Sequence, residues 1–77
     1  MNMTNAECKK YISAEAKSCG LTFRVQKNLK INGVNAYCFT VRGGGNVVMK
    51  NCTLGSALKI AESGYLQTFD LKTESFI

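Results

Sequence analysis

The chain reads as an α+β domain in the order helix, three antiparallel strands, helix, with residues 66–72 as a candidate fourth strand. Three observations predict this. Cys8, Tyr11, Ile12, Ala16 and Cys19 recur at helical spacing near the start, and Leu54, Ala57, Leu58 and Ala61 repeat that spacing later. Between them Leu21, Phe23 and Val25 alternate with Thr22, Arg24 and Gln26, the period of a half-buried strand.

The first helix is expected over residues 5–18. Thr4-Asn5-Ala6-Glu7 has the form of a capping box, in which the Thr hydroxyl and the Glu carboxylate each accept from the other's backbone N–H. Met3 and Cys8 fall where a hydrophobic staple would sit, and Gly20 supplies a left-handed stop. A strand follows from Leu21. The dipeptide Asn32-Gly33 then signals a hairpin, with a second strand from about Val34 to Arg42. A two-residue turn would set Phe23 against Arg42 and Val25 against Thr40, mixing core and solvent residues on one face. A three-residue loop, Ile31-Asn32-Gly33, instead sets Val25 against Phe39 and Phe23 against Val41, so that both apolar sets share a face, and this register is the one expected. Gly43-Gly44-Gly45-Asn46 reads as the next hairpin turn, because the short run Val47-Val48-Met49 that follows is a strand and not the helix a phosphate loop needs. Thr53 is the expected cap of the second helix and Gly64 its stop. Residues 73–77 read as a flexible tail, and no linker or repeat divides residues 1–77 into two domains.

Composition limits the chemistry. The 77 residues contain no histidine, which removes Ser/His and Cys/His pairs and the commonest metal ligand and neutral-pH proton shuttle. Cys8 and Cys19 would lie on one helix face but about 16 Å apart along its axis, too far to bridge. No C-x-x-C pair exists, so all four cysteines, Cys8, Cys19, Cys38 and Cys52, are expected as reduced, mostly core residues. Cys38 is the one candidate for a reactive thiol, since it falls on the outer face near Arg24. No paired carboxylates are placed for acid–base work, so no enzyme activity, cofactor or metal is expected. The N-terminus lacks the basic and apolar regions of a secretory signal, and no apolar run spans a bilayer; a cytoplasmic address without membrane contact is the expectation.

Charge placement is the most informative feature. Ten Lys and Arg stand against five Asp and Glu, giving a formal charge of +5. Between Glu15 and Glu62 there is no acid, while Lys17, Arg24, Lys27, Lys30, Arg42, Lys50 and Lys59 all fall there. If both helices cover one sheet face, Arg24 and Arg42 stand on the other and Lys50 joins them. The expected binding residues are therefore Arg24, Lys27, Lys30, Arg42 and Lys50, facing a negatively charged partner.

The order of elements over residues 4–64 resembles that of double-stranded RNA-binding domains. Carried over by position, that resemblance implies RNA contacts from Lys9 or Lys10, then from Lys27, Lys30 and Asn32, then from Lys59. The second helix opens Thr53-Leu54-Gly55-Ser56-Ala57-Leu58-Lys59, with one lysine where the family has a cluster. In size and layout the chain also resembles small phage-encoded inhibitors of host defence, including anti-CRISPR proteins. That resemblance implies stoichiometric binding to a host protein or nucleoprotein complex. A small basic module that binds RNA or DNA directly is the alternative.

Overall fold

The computed structural model describes residues 3–43 and 46–77. The elements are α1 (Asn5–Ser18), β1 (Leu21–Ile31), β2 (Val34–Val41), β3 (Val47–Cys52), α2 (Leu54–Glu62), a 3-10 turn (Tyr65–Thr68), β4 (Phe69–Asp70) and β5 (Ser75–Phe76). The helix, three strands, helix order is as expected. β1, β2 and β3 form an antiparallel sheet with β2 in the centre, and β4 pairs with β5 in a separate two-stranded sheet.

Both helices begin as their sequences dictate. The Glu7 amide donates to Thr4 Oγ1 at 3.1 Å and the Thr4 amide to Glu7 Oε1 at 2.9 Å, closing the capping box. Gly20, at φ 80°, ends the helical segment in the left-handed region that glycine enters without steric cost. At the start of α2 the Ser56 amide donates to Thr53 Oγ1 at 3.1 Å. Small residues on its inner face, Ala57 and Ala61, are buried and let α2 lie close to α1 and the sheet.

The first hairpin departs from the expected register. Asn32 and Gly33 both have positive φ, 51° and 83°, and make a two-residue turn that pairs Ile31 with Val34. Pairing then skips Lys27, Asn28 and Leu29, with Asn28 at φ 66°, and resumes with Gln26 against Ala36. Phe23 consequently faces Phe39, Val25 faces Tyr37 and Leu21 faces Val41. A two-residue turn alone pairs odd positions with even ones; the three excluded residues restore the match of apolar faces. The expected partners were thus two residues out, while the expected faces stand.

Cys8, Ile12 and Ala16 of α1 meet Leu21, Tyr37 and Phe39 of the sheet, with Ala57 and Ala61 of α2 and with Leu66 and Phe69 beyond it. Ile12, Leu21, Phe39 and Leu66 are the largest fully enclosed side chains. The candidate fourth strand is only Phe69–Asp70, and it leaves the main sheet to pair with Ser75–Phe76. The segment expected as a tail is therefore built into the fold: Phe76 stacks on Tyr65 with ring centroids 4.3 Å apart, and the Ile77 amide donates to the Thr68 carbonyl. Gly43 has φ 75°, whereas the remainder of the glycine turn, Gly44 and Gly45, lies outside the described residues.

Candidate basic surfaces

With the helices and Phe69 on one side of the sheet, even-numbered positions of β2 occupy the other. Ala36, Cys38 and Thr40 are buried there, short side chains on a central strand between longer ones at the edges. Cys38 and Thr40 floor a shallow groove. Arg24 and Lys27 border it from β1, Lys50 and Val47 from β3. Gln26 reaches across and donates from Nε2 to the Tyr37 carbonyl at 3.4 Å.

Arg24, Lys27 and Lys50 are therefore brought together, but Lys30 and Arg42 are not. The residues excluded from pairing at Lys27–Leu29 switch the strand's parity, so Lys30 lines a separate depression with Asn5 and Lys9 of α1, Tyr37, and the start of α2 at Thr53 to Gly55. Arg42 lines a third depression, around the outer edge of β1, with Ser13, Lys17, Leu21, Thr22 and Phe23. Among the described residues no carboxylate lines any of the three.

Of the residues implied by the RNA-binding resemblance, Lys9 and Lys30 do converge on the start of α2, whereas Lys27 faces the outer groove. Lys9 Nζ also sits 5.8 Å from the centroid of the Tyr37 ring, within the range of a cation–π contact. The juxtaposition of Lys17 and Arg42 is not among the sequence expectations. It depends on Gly20 pairing with Arg42, which no local pattern announces.

The four cysteines are free thiols; Cys8, Cys38 and Cys52 are buried and Cys19 is half-buried. Cys52 Sγ donates to the Tyr37 carbonyl at 3.3 Å. Burial pushes the Cys52 thiol above its ordinary pKa, and the neighbouring Cys38 adds to the shift. Cys38, the candidate reactive thiol, lies at the bottom of the groove with only 8% of its surface exposed. Among the described residues no three or more His, Cys, Asp or Glu gather as metal ligands would. No helix there is long and apolar enough to cross a membrane.

No protein-family model matches the chain, and comparison with curated proteins and with solved structures returns no similar protein.

Proposed function

We propose that this chain is a non-catalytic binding protein that docks on an acidic host protein or nucleoprotein complex through the outer face of its sheet, acting stoichiometrically as small phage or mobile-element inhibitors of the anti-CRISPR type do. The observation that carries this reading is the groove between β1 and β3, where Arg24, Lys27 and Lys50 surround a floor of short side chains with no acid present. A groove of this kind admits a partner's protruding carboxylates or phosphates to a partly desolvated setting, where charge-assisted hydrogen bonds strengthen. Co-purification from host lysate tests it. One defined complex should be captured by the wild type and released by Arg24→Glu with Lys50→Glu.

Direct nucleic-acid binding is the second reading, and a different observation favours it. Lys9, Lys30 and the start of α2 converge on one depression, supplied by the same three regions that double-stranded RNA-binding domains use. A module of that kind binds random duplex by itself, with an affinity that falls steeply as salt rises. Gel-shift titration at two salt concentrations separates the readings: micromolar or tighter binding to free duplex at physiological salt selects the second.

A further inference from the structure

The outer edge of β1 is a row of backbone groups in search of a partner strand. The Arg42 amide donates to the Gly20 carbonyl at 2.9 Å, so Gly20 and Arg42 form a hydrogen-bonded pair of the antiparallel ladder. Such pairs alternate along a strand. The register from Leu21↔Val41 to Gln26↔Ala36 is unbroken, so Thr22, Arg24 and Gln26 direct their N–H and C=O groups at β2. Phe23 and Val25 direct theirs outward, past the edge of the sheet, whereas Leu21, of the same phase, is enclosed with 1% of its surface exposed. Among the described residues no strand pairs with them there. The opposite edge differs: the pairing of β3 with β2 shifts register twice within six residues, and Asn51 has φ 62°.

The surroundings of the β1 edge specify charge. The depression that wraps it takes Ser13 and Lys17 from α1 on the helix side and Arg42 on the other, with the Phe23 ring as its apolar wall. Glu15, the nearest acid in sequence, projects from α1 roughly half a turn away from Ser13 and Lys17. A second copy of this chain is a poor occupant, since antiparallel pairing of two β1 edges would bring the Arg24 side chains and both +5 molecules together. An extended segment carrying carboxylates suits the site.

We propose that the β1 edge at Phe23 and Val25 binds an extended acidic peptide segment of a partner protein by strand addition. The backbone of Phe23 and Val25 supplies the ladder, Lys17 and Arg42 take the carboxylates, and Phe23 takes an apolar side chain between them. This site is distinct from the outer groove, and either can fail without the other.

The test uses the intact protein and the hexapeptide Glu-Glu-Val-Glu-Val-Glu, acetylated and amidated, which as a strand carries Val on one face and carboxylates on both. Amide hydrogen exchange read by NMR should slow about tenfold or more at Phe23 and Val25 when peptide is bound, as for amides newly drawn into a ladder. Thr22 and Arg24 should change little. Lys17→Glu with Arg42→Glu should weaken binding about tenfold or more, as expected when complementary charges are reversed, with unchanged circular dichroism. Two N-methylated peptides, blocked at the odd-numbered or at the even-numbered amides, report on the backbone: one should lose binding. Four results would each overturn the proposal. These are no binding at millimolar peptide, equal binding of both N-methylated peptides, tighter binding of the Lys/Val analogue, and dimerisation that protects the same amides without peptide. Duplex RNA protecting those amides in place of peptide would reassign the edge to nucleic acid.

Discussion

Phe23 lies flat against Tyr37, ring centroids 4.9 Å apart and planes inclined by 10°, and the same ring meets Phe39 at 5.1 Å. This contact ties the edge strand to the central one on the helix side of the sheet. Phe23 is only half-buried, so Phe23→Ala should cost less than a fully enclosed ring, about 2 kcal/mol. For a chain of this size that lowers Tm by roughly 8–16 °C. Calorimetric or circular-dichroism melting checks it, and a loss under 4 °C would mean that the stack contributes little beyond its area.

The capping box gives a pH signature at the other end of α1. The backbone N–H of Thr4, and then its hydroxyl, hold the Glu7 carboxyl below its ordinary pKa. A carboxylate with a depressed pKa stabilises the fold above its unfolded value, and that contribution disappears as pH falls through the folded one. The wild type should therefore lose more stability than Glu7→Ala between neutral pH and acid below about 4. Thr4→Ala removes the cap itself and should cost about 1 kcal/mol at neutral pH. Parallel denaturant titrations of the three proteins at pH 7 and pH 3 would show the difference; equal acid sensitivity would discard the box as a titrating element.

These element boundaries were legible because the decisive interactions are local. Thr4 and Glu7, or Thr53 and Ser56, lie within one helical turn, and Asn32-Gly33 announces its turn through its own backbone preferences. The register was not legible. It depends on Lys27, Asn28 and Leu29 leaving the ladder, and neither their hydrophobicity nor their turn propensity marks that choice; the match of Phe23 with Phe39 and of Leu21 with Val41 enforces it from a distance. The site followed the same division. Faces were readable from parity, which places Arg24 with Lys50, but the separation of Lys30 and Arg42 follows from the excluded residues and the strand end.

Cys52 should behave as a protected thiol with an alkaline liability. Its raised pKa, caused first by burial and then by Cys38, means that the folded state holds this proton more tightly than the unfolded state does. Stability from this source is complete below the unfolded value of about 8.5 and is lost as pH rises through the folded one. Cys52→Ala should flatten the decline in stability between pH 8 and 10. Alkylation followed by mass spectrometry should label half-buried Cys19 well before Cys52. Faster labelling of Cys52 would show that its strand opens locally.

Two glycines of similar conformation should respond differently to alanine. Gly33 has φ 83° with nothing within 4 Å of a built Cβ, so Gly33→Ala meets only the left-handed backbone penalty, about 1–2 kcal/mol. Gly20, at φ 80°, would place its Cβ 2.9 Å from Leu71 Cδ1. Gly20→Ala must therefore also displace the Leu71 side chain, which belongs to the turn between β4 and β5. The expected result is faster amide exchange around Phe69 and Phe76 in Gly20→Ala and none in Gly33→Ala. Equal effects on that hairpin would show that Leu71 yields without disturbing its strands.

The placement of the cations yields the sharpest functional prediction. Arg24 and Lys50 share the outer groove, Lys9 and Lys30 share the depression at the start of α2, and Arg42 stands with Lys17 at the β1 edge. Reversing charge in one pair at a time therefore addresses three surfaces separately. If the outer groove holds the host partner, Arg24→Glu with Lys50→Glu should abolish capture. An Arg desolvated at the centre of an interface accounts for about 2 kcal/mol or more, so the double variant should weaken binding by roughly thirtyfold or more. Lys9→Glu with Lys30→Glu should then leave capture within a few fold of the wild type. The opposite pattern, capture lost only in the Lys9 and Lys30 variant and accompanied by loss of duplex binding, would transfer the function to nucleic acid at the helix side. Arg24 and Lys50 are both exposed, so circular dichroism of their double variant should be unchanged, and any loss of binding would belong to the surface and not to the fold.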